Sequence, residues 1–215
     1  MIPQRFHHAA PDERAVRGFM TGHSSWARIR HRNGALNARR ERNAPPRAGQ
    51  ALVRFEGYGP GGAAVLIECL AEDRGQVGAQ LRNTFLEHGG NLGADGSVSY
   101  LFNTVGLMTY PPGTDEEQLM QVALEAGAED VVPKGDRSVE VLADPLELET
   151  VRAVLTHRGF APMTAEVTRR AATAFGLSGE AAARTVRMLE ALQALDEVRD
   201  VYSNAQIEEE ALERR

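Results

Sequence analysis

The amino-acid sequence predicts an α+β protein whose folded body begins at about residue 51. From there, short β-rich runs alternate with segments of helical periodicity, and several connections are Gly- or Pro-containing turns typical of hairpins. Hairpin connections favour antiparallel sheets with helices on one side over a parallel, doubly wound sheet.

The strands are predicted from runs of apolar and β-branched residues between turn signals. In order, they are Ala51–Glu56, Ala63–Leu70, Ser97–Asn103, Leu107–Tyr110, Ser138–Leu142, Met163–Thr168 and Val198–Tyr202. The first two form a hairpin around a Gly/Pro turn, and the third and fourth are predicted to be separated near Gly106. A second group of elements is predicted to begin after Pro111-Pro112.

The helices are predicted from apolar residues that recur every three or four positions. They lie at Gly75–His88, at Asp115–Ala126, at Leu146–Arg158 and from Gly179 onward. In the first of them Val77, Leu81 and Phe85 share one face, and Gly89 is predicted to cap its C-terminus. The glutamates at positions 208–210 belong to a polar tail.

Two glycine-rich segments are predicted to be structural turns. Glu56–Gly62 (EGYGPGG) lacks the following helix that a phosphate-binding loop needs, because a strand follows it. In Gly89–Ser97 (GGNLGADGS), Asp95-Gly96 suits a tight turn. Neither segment therefore predicts a nucleotide site.

Composition excludes several classes of site. Cys69 is the only cysteine, so an internal disulfide and a multi-thiolate metal site are excluded, and an apolar context predicts a core residue. The six histidines show no ligand spacing, and no serine lies in a nucleophile elbow. We therefore expect no catalytic residues, no metal, no cofactor and no small-molecule substrate, which predicts a non-enzymatic protein.

Hydropathy predicts a cytoplasmic protein with no membrane partner. No run approaches the roughly 18 to 20 apolar residues of a membrane span, and the start of the chain lacks a secretory signal. A monomer is the default expectation.

The two signs of charge are separated along the chain. Residues 1–54 contain 11 Arg and 3 acidic residues, or +8, whereas the remainder contains 13 basic and 27 acidic residues, or −14. A basic segment on an acidic body is typical of a protein that contacts a phosphate backbone through that segment. The alternative is a solvated, flexible arm.

The candidate nucleic-acid site lies in residues 20–50, which we call the arm. Its segment Gly22–Arg32 (GHSSWARIRHR) interleaves arginine and histidine with the only tryptophan, and Arg suits bidentate phosphate contacts while an aromatic ring can stack on a base. The candidate residues are His23, Trp26, Arg28, Arg30, His31, Arg32, Arg39, Arg40 and Arg42.

Trp26 has a second interpretation, as an anchor that packs the arm onto the body. Trp26, Ile29 and Leu36 are spaced at roughly helical intervals, but Pro45 and Pro46 end any helix before the body begins. Three large apolar residues on one short helix cannot form a core of their own. The arm must therefore dock on the body, bind a partner or stay mobile.

The start of the arm, Met20–Arg32 (MTGHSSWARIRHR), resembles the start of the YebC/PmpR family. Further segments resemble signatures of that family in the same order, namely Glu56–Leu70, Gly89–Phe102, Ala123–Val132 and Val198–Asn204. The resemblance covers about 20–42 and 53–204.

The resemblance implies a helical first domain followed by two α+β, ferredoxin-like domains, the third inserted into the second. The implied organisation is an N-terminal extension (1–19), the arm as a remnant of the first domain with a Pro/Gly linker (20–50), a second domain (51–112 and 179–215) and an inserted third domain (113–178). The family includes probable transcriptional regulators and mitochondrial translational activators.

Three features depart from the family pattern. Between Arg42 and Val53 the chain lacks the further helices that complete the family's first domain, Ser25 and Asn33 replace usual lysines, and residues 1–19 precede the usual start at Met20. The leading hypothesis is a DNA-binding regulator of transcription. The alternatives are a ribosome-associated translation factor that places the arm on ribosomal RNA, and a degenerate paralogue that acts only through protein contacts.

Overall fold

The structure is a computed structural model that describes residues 46–207 of the 215-residue chain. Its strands are β1 (Ala51–Tyr58), β2 (Ala64–Ala71), β3 (Asn91–Leu92), β4 (Phe102–Tyr110), β5 (Asp130–Pro133), β6 (Val139–Ala143), β7 (Thr164–Ala171), β8 (Phe175–Leu177), β9 (Val198–Ser203) and β10 (Ala205–Ile207). Its α-helices are α1 (Arg74–His88), α2 (Glu116–Glu125), α3 (Leu148–His157) and α4 (Gly179–Gln193). The predicted α+β class is confirmed, while the arm up to residue 45 and the tail after 207 lie outside the described residues.

The first sheet has the order β3-β1-β2-β9 and is antiparallel throughout. The predicted hairpin is confirmed, because β1 pairs with β2 from Ala51↔Ala71 to Tyr58↔Ala64. Alternate residues point to opposite faces of a strand. Phe55 and Ile67 thus join Leu81 of α1 and Leu189 of α4 in a buried core on one face of this sheet.

Helix α1 forms where the sequence predicts it, and its ends explain its length. Asp73 caps the N-terminus, because its carboxylate accepts hydrogen bonds from the backbone N–H groups of Gly75 (2.7 Å) and Gln76 (3.2 Å). Gly89 ends the helix in the left-handed conformation at φ +82°, which a residue without a Cβ adopts readily. The predicted cap at Gly89 is confirmed.

The second sheet has the order β5-β6-β4-β7 and is also antiparallel. Helices α2 and α3 cover one of its faces, where Met108 and Val141 pack with Leu119 and Leu155 in a second core.

Strand β4 corrects two expectations. It runs without interruption through Gly106, where the sequence predicts a break. A Cβ at that position would lie 3.0 Å from Cβ of Leu148, so the glycine gives α3 room to pack. The sequence predicts that this strand belongs with the first group of elements, before Pro111-Pro112. β4 pairs instead with β6 and β7, so it belongs to the second sheet. The reason is that cross-strand pairing, which is not local in sequence, decides sheet membership. The domain limits at 112 and 179 remain predictions.

Four short strands were not predicted. β3, β5, β8 and β10 contain two to four residues each, too few for a period-2 pattern to be visible in the sequence. β8 and β10 form a parallel pair. Asn204, which immediately precedes β10, binds the first hairpin, because its side-chain oxygen accepts a hydrogen bond from Ala64 N at 2.8 Å.

Candidate nucleic-acid interface

All nine candidate nucleic-acid residues lie in the part of the arm that precedes the described residues. The structure shows instead where the arm joins the body. Residues 47–50 form a turn in which Gln50 N donates to Arg47 O at 3.0 Å, and the chain then enters β1 opposite the last residue of β2, since Ala51 pairs with Ala71.

The described body is acidic, and several of its cations pair with its own carboxylates. Residues 46–207 contain 13 Lys and Arg and 23 Asp and Glu, a net charge of −10. The ion pairs recorded among these residues are Arg54–Glu68, Arg74–Asp95, Lys134–Glu140, Arg152–Glu149 and Arg169–Glu68. The body therefore provides no net attraction for a polyanion.

A buried carboxylate organises the loop that precedes β4. Glu56 is only 6% exposed and accepts hydrogen bonds from three backbone N–H groups, Gly96 at 2.8 Å, Val98 at 2.6 Å and Ser99 at 2.8 Å. Tyr58, two residues further along β1, donates its hydroxyl to Ser97 O at 2.8 Å. These contacts join the two glycine-rich segments, which confirms that both are structural.

The pKa of Glu56 reflects two opposing effects. Burial alone raises the pKa of this carboxyl, but the hydrogen bonds from Val98, Gly96 and Ser99 outweigh burial and lower the pKa below its ordinary value of 4.5. The residue is therefore a carboxylate at neutral pH, and its charge is neutralised by backbone donors rather than by a cation. Its role is to hold the loop.

The loop held by Glu56 presents an aromatic ring to solvent. Tyr100 lies in a 3-10 turn, Ser99–Leu101, between the fully buried Val98 and the buried Phe102, yet Tyr100 itself is 73% exposed. Leu101 fixes the turn further, because its carbonyl accepts a hydrogen bond from Ala172 N at 2.8 Å. A fixed, exposed ring is a surface on which a base or a partner side chain can stack.

A second carboxylate joins the two sheets. Glu68 of β2 accepts a hydrogen bond from Nε of Arg54 at 3.0 Å, and the same oxygen lies 3.7 Å from Nε of Arg169 on β7. Its side chain is only 13% exposed. Arg54 and Arg169 are therefore both engaged in ion pairs within the body.

Arg170 is also retained by the body. Burial lowers the pKa of its guanidinium, while the carboxylates of Glu140 and Asp130 oppose that effect. A cation in this setting is stabilised by its own sheet, so it is a poor donor to an external phosphate.

The described residues contain no group of three or more His, Cys, Asp or Glu side chains placed to hold a metal ion. Cys69 is fully buried, and burial raises the pKa of its thiol to about 12, so it is a core residue as predicted rather than a nucleophile. Within residues 46–207, none of the helices is long and apolar enough to cross a membrane.

Sequence patterns alone did not identify Glu56, Glu68 or Tyr100. Glu68 does carry a weak signal, since it is the single charge within the apolar strand β2. The partners of Glu56 and Glu68 come from distant segments, which no local pattern reveals.

Comparison of the sequence with known proteins indicates a single family. A family model for the second and third domains of TACO1/YebC proteins matches residues 51–205. A probable transcriptional regulatory protein of Francisella tularensis subsp. tularensis is 35% identical over 245 aligned positions, which include 90% of this chain and 99% of that protein. A protein of the same name from Halorhodospira halophila is 44% identical over 161 positions, which include 75% of this chain and 65% of that protein.

Among solved structures, a conserved hypothetical protein from Aquifex aeolicus has a similar fold. The TM-score is 0.69 at 36% sequence identity, and the match covers 77% of this chain and 69% of that one.

The alignment with the Francisella protein also measures what this chain lacks. It includes about 194 of the 215 residues, so about 51 of its 245 positions have no residue here.

Proposed function

This chain belongs to the TACO1/YebC family, and we propose that it is a non-enzymatic cytoplasmic regulator of transcription that binds DNA through its arm. The relatives named above are called probable transcriptional regulatory proteins. Regulation of transcription requires contact with nucleic acid or with the machinery that reads it, and the residues of this chain best suited to phosphate are in the arm.

The observation that carries this proposal is the separation of charge. Residues 1–54 carry +8, whereas residues 55–215 carry −14, and Arg74, Arg152 and Arg169 of the body pair with its own carboxylates. Phosphates are attracted by unpaired guanidinium groups and repelled by carboxylates, so a polyanion approaches this protein from the arm. Arg28, Arg30, Arg32, Arg39, Arg40 and Arg42 supply the phosphate contacts, with His23 and His31 beside them.

The test is the salt dependence of duplex DNA binding. Each phosphate contact that releases a counterion contributes roughly 0.9 to the slope of log K against log salt. In the triple variant Arg28→Ala, Arg30→Ala, Arg32→Ala we therefore expect a slope flatter by about 2 to 3 units, measured by fluorescence anisotropy from low to moderate salt.

A matched control removes the same charge from the body. Arg82, Arg158 and Arg187 are exposed, and replacing all three by Ala should leave the slope close to that of the unaltered protein. Unchanged binding in the arm variant, or an equal change in the control variant, would rule out the arm as the DNA contact.

A second candidate function is a ribosome-associated translation factor. The arginines of the arm would bind ribosomal RNA as they would bind DNA, because both have a phosphate backbone. Co-sedimentation with ribosomes, compared with retention of promoter-sized duplex DNA at the same salt concentration, separates the two candidates. This chain lacks about 51 residues relative to the Francisella protein, and that difference favours neither DNA nor the ribosome as the target. A folded protein that binds neither polyanion would instead be a degenerate paralogue that acts through protein contacts.

A further inference from the structure

Four segments that contain no Asp, Glu, Lys or Arg meet in one region of the body. They are 57–67, 96–104, 171–179 and 201–207. Backbone hydrogen bonds connect them, because Ala172 N donates to Leu101 O at 2.8 Å and Phe175 N donates to Asn204 O at 2.8 Å. Asn204 N in turn donates to Ala64 O at 3.2 Å. Charged residues make up 25% of the chain, so their absence from all four segments sets this region apart.

The exposed part of this region forms a surface that we call the uncharged patch. It consists of Gly61, Gly62, Tyr100 and residues 172–176, all of which are exposed. The patch is continuous at both of its junctions. Phe175 lies against Gly62, where a Cβ would be 3.7 Å from Cζ of the ring, and Ala172 is bonded to Leu101 in the turn that carries Tyr100.

Two aromatic rings of the patch face solvent. Tyr100 is 73% exposed and Phe175 is 38% exposed. The backbone beneath Tyr100 is fixed, because the buried carboxylate of Glu56 accepts hydrogen bonds from Val98 N and Ser99 N. Exposed rings on a fixed backbone supply contact area at a low entropy cost. Aromatic enrichment and depletion of charge are the features that distinguish the centre of a protein–protein interface from the remaining surface.

The patch is not suited to a polyanion. It contributes no guanidinium or ammonium group, and the described body carries a net charge of −10. Arg170, the nearest arginine along the chain from residues 172–176, lies near the carboxylates of Glu140 and Asp130. A charged group of a protein partner is also disfavoured, because it would lose its water without gaining a counter-charge. The chemistry of the patch therefore favours an uncharged protein surface as its partner.

A second copy of this chain presents such a surface. The hydroxyl groups of Tyr100 and Thr173 and the backbone peptide groups each donate and accept hydrogen bonds, so the patch is complementary to an identical patch. A surface of carboxylates or of guanidinium groups cannot pair with itself in this way. In a dimer with two-fold symmetry, the same patch forms the contact on both subunits. Contact through the patch also avoids bringing the carboxylates of two acidic bodies together.

We propose that the uncharged patch is a homodimer interface, in which Tyr100 and residues 172–176 of one copy pack against the same residues of a second copy. A standard interface contains roughly 20 to 30 residues on each side, and the patch is smaller, so we expect a dissociation constant in the micromolar range. The proposal replaces the default expectation of a monomer. It does not depend on binding to nucleic acid.

Sedimentation equilibrium of the full-length protein tests the interface, because it reports the molar mass across a concentration series. We expect the mass to rise from monomer to dimer with concentration. Tyr100→Glu and Thr173→Glu each place a carboxylate in the contact on both subunits, and each should weaken association by about tenfold or more. Both positions are exposed and lie in different segments, and far-UV circular dichroism checks that each variant folds.

Leu124→Glu is the matched control. Leu124 is 55% exposed on α2, outside the patch, so this variant gains the same charge and should leave the monomer–dimer equilibrium unchanged. The salt concentration gives a second comparison. Salt screens the repulsion between the acidic bodies, so association through the patch should persist or strengthen as salt rises, whereas a contact between the basic arm of one copy and the acidic body of another would weaken.

Four results would overturn the proposal. A monomer at every concentration would mean that a second copy does not cover the patch. Dimers that Tyr100→Glu and Thr173→Glu leave intact, or that Leu124→Glu weakens equally, would place the interface elsewhere. Association that weakens as salt rises would assign the contact to charged groups. A loss of duplex DNA binding in Tyr100→Glu with no change in molar mass would make the patch a nucleic-acid contact. Loss of DNA binding in the arm variant affects none of the mass measurements.

Discussion

At the scale of single residues, the body is organised by carboxylates rather than by apolar contacts alone. Glu56 is buried and still ionised because three backbone N–H groups point at it. Charge-assisted hydrogen bonds are stronger than neutral ones, and a buried donor left without an acceptor is costly. Glu56 therefore fixes the loop that carries Tyr100.

Replacing Glu56 by glutamine tests this role. Glu56→Gln keeps the size of the side chain but turns an NH2 group toward backbone donors, so we expect the free energy of unfolding at pH 7 to fall by about 2 to 3 kcal/mol in urea denaturation. Glu87→Gln, at an exposed position of α1, should change it by less than about 0.5 kcal/mol.

The pH dependence gives an independent check on Glu56. Because the pKa of Glu56 is lowered in the folded state, its contribution to stability is fully present above the ordinary pKa of 4.5 and is lost as the pH falls through the lower, folded value. The unaltered protein and Glu56→Gln should therefore converge in stability under acid conditions. A difference that stays constant from pH 7 to pH 3 would contradict this account.

At the scale of elements, the glycine-rich segments allow backbones to approach closely. A Cβ at Gly57 on β1 would lie 2.6 Å from the carbonyl oxygen of Asn91 and 2.8 Å from Cζ of Phe85, and a Cβ at Gly90 would lie 2.6 Å from the carbonyl oxygen of Tyr58. β1 can pair with β3, and α1 can pack on both strands, only because these positions carry no side chain. The same reasoning explains Gly106 beneath α3.

Gly57→Ala should consequently destabilise the first sheet. Phe85 is fully buried and Asn91 O belongs to the backbone, so neither can move away freely, and we expect a loss of about 3 kcal/mol in the free energy of unfolding. Gly176→Ala is the control, because a Cβ there meets nothing within 4 Å and Gly176 also lies in a strand. Similar losses in both variants would show that strand propensity, not crowding, sets the cost.

At the scale of the whole molecule, the two sheets are joined by a small apolar core and by one carboxylate. Glu68 connects β2 to β7 through Arg169 and is 13% exposed, whereas Asp95, which pairs with Arg74, is 76% exposed. An ion pair that is shielded from water is screened less than one at the surface, and removing one partner leaves the other uncompensated.

These two pairs should respond differently to loss of charge. We expect Glu68→Gln to lower the free energy of unfolding by about 1 to 2 kcal/mol, because two guanidinium groups lose their carboxylate, and Asp95→Asn to change it by less than about 1 kcal/mol. A double-mutant cycle with Arg169→Met isolates the contact between the sheets. A coupling energy near zero in that cycle would assign the junction to the apolar core alone.

The sequence alone predicts the family, the α+β class, the first hairpin and the positions of the four helices. Each of these depends on short-range signals: the ordered motifs, the spacing of Val77, Leu81 and Phe85, and Gly89 at a helix end. It also determined the separation of charge between arm and body, since that is a property of composition.

The tertiary contacts establish which sheet β4 joins, that β4 continues through Gly106, and which groups the carboxylates of Glu56 and Glu68 contact. The Glu56 carboxylate accepts hydrogen bonds from backbone N–H groups 40 to 43 residues away along the chain, and the Glu68 carboxylate lies 3.7 Å from Nε of Arg169 in the second sheet. Side-chain periodicity reports which face of an element is buried, but it does not report which distant element covers that face. For that physical reason the basic arm could be identified from sequence, whereas the contact of Glu68 with Arg169 across the two sheets could be found only from their packing.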